Sequence, residues 1–280
     1  MDQDLQRETP QSTAGPLPCA APPRGVTART LRIVALALMF ANHLGVLVTE
    51  KLWLGPGWLR EFQWIVTRGA FVIFAFQLAE GLVRTKSRPR YLGRLLLFAL
   101  LSEPCFDLFM SGRLWDPYYQ NVLWTLLCAG AGIWAAGLIA RRWPNLAPLG
   151  LLPLILTATA AELLRTDYGG TGVLIVYAFF FLREQRAAAL LCVELFLVFG
   201  WWGTVEWWGF LVFPLIWFYN GEIGGRRAGE SAGCPAIGES ASADDAARRR
   251  RLFSYLFYPL HLLLLAAAYF LATGTLPTLN

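Results

Sequence analysis

Residues 31–49 read LRIVALALMFANHLGVLVT, nineteen residues whose only ionisable side chains are Arg32 and His43. About 20 such residues are what one α-helix needs to cross the hydrocarbon core of a bilayer. Similar apolar runs recur at 121–140 and 146–164. The chain as a whole has 280 residues, of which 56% are hydrophobic and 15% charged. A soluble domain holds about 45–50% apolar and about 25% charged residues, so the excess here belongs to a helix bundle in lipid. The alternation of apolar and polar residues that builds an outer-membrane barrel is missing.

Working outward from 31–49, the pattern predicts an all-α integral membrane bundle of about nine spans, at 31–49, 62–83, 92–110, 121–140, 146–164, 169–182, 187–201, 207–219 and 251–271. The sixth to eighth are short. Arg29, Arg84, Lys86, Arg88, Arg90, Arg141, Arg142, Arg183, Arg186, Arg226, Arg227 and Arg248 to Arg251 fall on one side, against Lys51, Arg60, Arg113 and Arg165 on the other. Basic residues mark the cytoplasmic side, which predicts the N-terminus inside and the C-terminus outside. Residues 1–28 are rich in Pro and Ala and lack the apolar core of a signal peptide, so a disordered cytoplasmic tail is expected there. The folded part is then 29–280, with a flexible cytoplasmic loop at 224–250, rich in Gly, Ala and Ser.

The net charge of +5 is orienting charge and does not point to nucleic acid. Arginine far outnumbers lysine, as in a GC-rich bacterial genome, and the expected location is the bacterial cytoplasmic (inner) membrane, multi-pass. The five cysteines, Cys19, Cys105, Cys128, Cys192 and Cys234, are scattered without metal-ligand spacing, so no metal site is expected. Gly132 and Ala136 make a small-xxx-small pair, which reads as helix packing.

An ionisable residue inside a span costs about 2.5–3.5 kcal/mol on insertion scales, so each one needs a role. The chain has two histidines, His43 and His261, and both fall deep in predicted spans. Imidazole titrates near neutrality and can take a proton from an amine or hydroxyl and return it. Its ordinary alternative is a helix–helix hydrogen bond. Arg32 precedes His43 by eleven residues, about three turns, which puts both on one face about 16 Å apart. An anion held at Arg32 would have its far end at His43; otherwise Arg32 snorkels to the interface. Arg68, Glu103, Asp107, Gln120, Asn121 and Asp167 fall in the same half of the membrane as His43. A carboxylate among them orients the imidazole or neutralises Arg68. The turn Arg84-Thr85-Lys86-Ser87-Arg88-Pro89-Arg90 is topology signal, or a grip on phosphates. Pro259 should kink the last helix beside His261 and free a backbone carbonyl.

These residues, in this order, resemble the TraX family of membrane proteins associated with N-acetylation of conjugative pilin, and through it the wider acyltransferase family 3. The likeness runs from about residue 30 to 271. It is carried by Phe40-Ala41-Asn42-His43-Leu44-Gly45, by Arg68-Gly69-Ala70-Phe71 with Glu80-Gly81, and by Tyr91 with Arg94 and Ser102-Glu103-Pro104. Phe106-Asp107, Gln120-Asn121-Val122, Asp167-Tyr168-Gly169, Tyr219-Asn220-Gly221-Glu222 and Tyr258-Pro259-Leu260-His261 complete it. The resemblance implies an acyl-CoA donor, usually acetyl-CoA, loaded from the cytoplasm, with His43 as catalytic base. Arg68, Glu103, Asp107 and His261 would support it. Arg32, Arg84, Arg88, Arg90, Arg94 and Glu80 would lie on the CoA side. Asn42, Gln120, Asn121, Asp167 and Tyr168 would lie on the acceptor side. Asn42 stands where the resemblance leads one to expect Asp. The acceptor would be a pilin N-terminus, a glycan, a lipid or a small molecule. Two other classes fit the same buried charges: a transporter or flippase using them as a substrate or proton path, and a pilus scaffold without chemistry.

Overall fold

The computed structural model describes residues 25–200, 206–222 and 240–277, and all that follows concerns those. They are helical without a strand: α1 (Ala28–Gly45), continued by a π-turn segment Val46–Lys51, then α2 (Gly57–Thr67), α3 (Gly69–Arg84), α4 (Arg88–Ser111), α5 (Val122–Arg142), α6 (Leu151–Leu163), α7 (Gly169–Phe181), α8 (Arg186–Gly200), α9 (Phe213–Trp217) and α10 (Ser240–Thr273). 3-10 segments precede α6 and α9. Four stretches are long and apolar enough to cross a membrane: Ala28–Lys51, Gly57–Arg84, Val122–Arg142 and Tyr255–Thr273. The first contains the run from which the reading began. α4 is also long, but Arg88, Arg90, Arg94, Glu103 and Asp107 lower its hydropathy. α6, α7 and α8 are 13, 13 and 15 residues, short of the roughly 20 that a perpendicular crossing takes. The segment expected at 207–219 is a 3-10 turn and a helix of five residues.

α3 and α7 form the centre. Phe71, Val72, Ile73, Ala75, Leu78, Ala79 and Leu82 of α3 are buried, as are Val173, Ile175, Val176, Tyr177 and Phe179 of α7. α3 packs on α1, α5 and α7; α7 packs on α5, α6 and α8; α10 lies on α4 and touches α1. The outer helices turn leucines outward: Leu97, Leu100, Ile155 and Leu264 are each more than half exposed. In water such a belt would be a large unfavourable surface. In lipid it is the expected exterior, and the protein is a membrane protein. Gly132 of the small-residue pair is buried where α5 meets α6 and α7, and a Cβ there would lie 2.2 Å from the Tyr177 hydroxyl and 2.5 Å from that of Thr157. The pair does serve close packing.

The two ends differ in charge. At one end, Val26 N–H donates to Phe218 O at 2.9 Å, Arg84 donates to the Tyr219 hydroxyl at 2.8 Å, and Arg186 donates to Trp217 O at 2.7 Å. The arginines of the α3–α4, α5–α6 and α7–α8 connections all gather here. At the other end Lys51 Nζ donates to Met110 O at 2.9 Å, and Gln120 bridges Thr166.

Two boundaries change. Residues 25–28, expected as part of a disordered tail, are tied down: Asn220 N–H donates to Val26 O and Ala28 N–H to Glu222 O, so the backbone there is held by partners that local sequence does not show. Residues 1–24 and 224–239 lie outside the described residues. Of the loop expected at 224–250, residues 240–250 are helical and continue into α10; alanine and arginine are strong helix formers, and composition read as flexible linker was outweighed by propensity.

Candidate functional site

His43 and His261 come from helices 218 residues apart in sequence and meet: His261 Nε2 lies 3.0 Å from His43 Nδ1, and His261 Nδ1 lies 2.8 Å from the Phe257 carbonyl. The chemistry of these contacts fixes the protons. A carbonyl oxygen only accepts, so His261 Nδ1 carries hydrogen. In the neutral ring its Nε2 is then an acceptor, and His43 Nδ1–H must donate to it. In that tautomer the lone pair of His43 is on Nε2, and the Met39 carbonyl, one turn earlier on α1, also lies within reach of the ring. His43 as a residue is of intermediate exposure. Around the pair stand Phe40, Phe257, Tyr258 and Phe109: the His261 ring stacks on Phe257 at 5.1 Å, and His43 meets Phe109 edge-on at 5.9 Å. The carbonyl that the pair uses is Phe257's. The one that Pro259 releases, four residues before it, is Tyr255's.

α1, α4 and α10 frame a seam that runs from this pair toward the basic end. Its side chains are aromatic: Phe40 edge-on to His261, Phe98 stacked on Tyr255 at 4.5 Å, then Tyr91. Arg32 and Arg94 flank Tyr91, the Arg94 guanidinium 5.9 Å from its ring. Arg32 is exposed, on the side to which the helical spacing assigns it.

Asn42 does different work from its neighbour. Its side-chain oxygen accepts from Gln63 Nε2 at 2.9 Å, Thr67 Oγ1 at 2.9 Å and Arg68 Nη2 at 3.0 Å. It thereby clamps α1 against the junction of α2 and α3. Arg68 also lies over the Trp64 ring at 4.1 Å. Three donors on one oxygen are what an aspartate would hold with charge-assisted bonds.

The carboxylates expected near His43 are engaged elsewhere. Glu103 accepts from Asn121 N–H at 3.3 Å, from the Asn121 side-chain amide and from the Trp124 indole. Asn121 in turn caps α5 through Leu123 N–H at 2.9 Å. Asp107 Oδ2 accepts from Asp116 N–H at 2.8 Å. Asp167 accepts from the Tyr119 hydroxyl. Gln120 Nε2 donates to Asp116 O at 2.9 Å, and Tyr168 stacks on Phe71 at 3.7 Å. These six, Glu103, Asp107, Gln120, Asn121, Asp167 and Tyr168, build the end of the bundle opposite the arginines. Tyr258, between the pair and this network, was visible in the sequence only as a motif neighbour of His261.

The basic residues divide. Arg84 pairs with Glu80 at 2.6 Å, Arg90 is exposed, and Arg88 turns toward Phe180 at 5.6 Å. Only Arg32 and Arg94 flank the seam. Gln63, Thr67, Phe257 and Trp124 were missed in the sequence. The recoverable signals were the i, i+4 spacings of Gln63 with Thr67 and of Phe257 with His261.

With this geometry in view, the comparisons with known proteins are informative. A family model described as TraX protein matches residues 27–268. The chain is 26% identical over 260 residues to the probable fimbrial assembly protein FimC, serogroup H1, of Dichelobacter nodosus, an alignment that covers 85% of this chain and 93% of that protein. No solved structure matches.

Proposed function

The chain belongs to the TraX family, and from that premise we propose that it is a membrane-embedded acetyltransferase acting on a pilin or fimbrial subunit. The donor is acetyl-CoA and His43 is the general base. One observation carries the reading: the His261–His43 contact favours a tautomer of His43 whose Nε2 holds the lone pair, within a helix bundle.

In the same proposal the chain crosses the inner membrane nine times, with its N-terminus and its basic end in the cytoplasm and its C-terminus outside. The CoA phosphates sit at Arg32 and Arg94, and the thioester extends along the aromatic seam. The acceptor amine or hydroxyl attacks the thioester carbonyl as His43 Nε2 takes its proton. The tetrahedral intermediate collapses, the C–S bond breaks, and the imidazolium returns the proton to the departing CoA thiolate. His261, bonded to the far side of His43, stabilises the imidazolium and holds the tautomer, as the aspartate of a hydrolytic triad does. The first-helix pattern of a basic residue and a histidine eleven positions on links this reading to acyltransferase family 3. The name of the fimbrial assembly relative supports a pilin or fimbrial subunit as acceptor.

The test is transfer of radiolabelled acetyl groups from acetyl-CoA to a pilin N-terminal peptide by the full chain in vesicles. Transfer that is lost in His43→Ala supports the proposal. Transfer at the wild-type rate in that variant removes the base assignment. If the wild-type chain binds no CoA analogue and yet moves a solute across vesicles, the buried groups serve transport.

A further inference from the structure

Across the bundle from the histidine pair, a cavity of about 650 Å³ lies between α5, α6, α7 and α8. Ile133, Ala136, Leu154, Leu174 and Ala178 line it, and its polar residues are Arg88, Arg141, Tyr177 and Cys192. Both arginines line the same cavity, and Arg88 reaches α5: a Cβ on Gly137, one turn before Arg141, would lie 2.9 Å from its Nη1. Arg88 is partly buried, its Nε bonded to Leu82 O at 3.3 Å, and Arg141 is exposed in the last turn of α5. Two other arginines of this end are paired with carboxylates, Arg84 with Glu80 and Arg183 with Glu184. Arg88 and Arg141 form no ion pair among the described residues. Two like charges held together in a partly desolvated place attract an anion that accepts hydrogen bonds from both. The cavity behind them suits an apolar chain and not an anion, because its walls are mostly hydrocarbon. Leu151 and Phe181, which also line it, are 61% and 60% exposed, so it opens sideways onto the face that the outer leucines give to lipid.

We propose that this cavity is a binding site for an anionic phospholipid of the leaflet at the basic end, its phosphate between Arg88 and Arg141 and one acyl chain between α5, α6 and α7. Basic pockets between membrane helices on the cytoplasmic side are suited to anionic head groups, and the volume lies within the 300–1,000 Å³ usual for small-molecule sites. The site is independent of acetyl transfer: its walls include neither histidine, and loss of catalysis would leave it intact.

The experiment is native mass spectrometry of the delipidated full chain, titrated with dioleoyl-phosphatidylglycerol, with dioleoyl-phosphatidylcholine and with dihexanoyl-phosphatidylglycerol. At about 1 kcal/mol per basic residue near an anionic lipid, two arginines give a preference for the dioleoyl-glycerol lipid over the choline lipid of about 30-fold. The preference should fall to less than about threefold in R88Q/R141Q, whose melting temperature in detergent alone matches wild type. The short-chain lipid should bind much more weakly than the long. Equal affinity for the choline and glycerol lipids in the wild type overturns the site without need of any variant. So does full displacement by millimolar inorganic phosphate, which would make it a phosphate site, or a preference that survives in R88Q/R141Q.

Discussion

Where α1 meets α10, two imidazoles bond to each other; at the end of the bundle away from the arginines, Glu103, Asp107 and Asp167 bond to backbone and side-chain donors that belong to other elements. Both regions hold buried or partly buried ionisable groups, and by sequence alone both qualified as a site. Their hydrogen bonding separates them. Glu103 has three donors, and each ties α4 to the start of α5. The histidine chain ends in a nitrogen with a lone pair. A buried polar group must be satisfied in any case; chemistry requires one that is held in place and still incompletely satisfied.

The contrast can be broken from either side. The largest effect is expected at His43: His43→Ala should lower acetyl transfer about 10³-fold, within the range for loss of a general base, with the melting temperature little changed. A drop in melting temperature that accounts for the lost activity would move His43 into the structural region. Glu103→Ala should do the reverse. Leaving the Asn121 and Trp124 donors buried without an acceptor should cost about 3 kcal/mol of stability, read by unfolding in detergent, while the folded fraction turns over at the wild-type rate. If Glu103→Ala keeps its stability and loses turnover, the two regions must be exchanged.

Smaller changes sharpen the comparison. His261→Phe keeps the aromatic packing and removes the acceptor for His43 Nδ1–H. The transfer rate should fall about 10- to 100-fold, less than for His43→Ala, because the base remains but its tautomer is no longer fixed. An effect of the same size as His43→Ala would make the two rings equal partners. Asn42→Asp is the mildest. Charged acceptors strengthen hydrogen bonds by about 1 kcal/mol, so the clamp on Gln63, Thr67 and Arg68 should tighten and the melting temperature rise. A fall would mean that desolvating the new carboxylate outweighs its three donors.

Much of the fold was legible because bilayer thickness writes itself into sequence. The runs 31–49 and 121–140 lie in two of the long apolar stretches, and of the arginines placed on one side by counting, Arg84, Arg88, Arg141, Arg183 and Arg186 are found at one end of the bundle. The pairing of Gly132 and Ala136 as a packing face also needed nothing beyond their spacing. The ends of segments were harder. Residues 240–250 have a linker's composition and a helix's propensity, and only the continuous backbone into α10 decides between them. Residues 25–28 are held by Phe218, Asn220 and Glu222, nearly two hundred positions away.

The candidate site divides along the same line. Sequence by itself determined that the chain spends its long runs on lipid, that its two histidines lie inside them, and that Arg32 and His43 share a face, because helical periodicity and the cost of charge in hydrocarbon act within one segment. Tertiary structure alone decided that His43 faces His261 and not Glu103 or Asp107, that Asn42 is a clamp, and that Arg88 lines a cavity among α5, α6, α7 and α8 while Arg32 lies beside Tyr91. Those outcomes depend on hydrogen bonds between helices remote in sequence, whose directions are set by how the bundle packs.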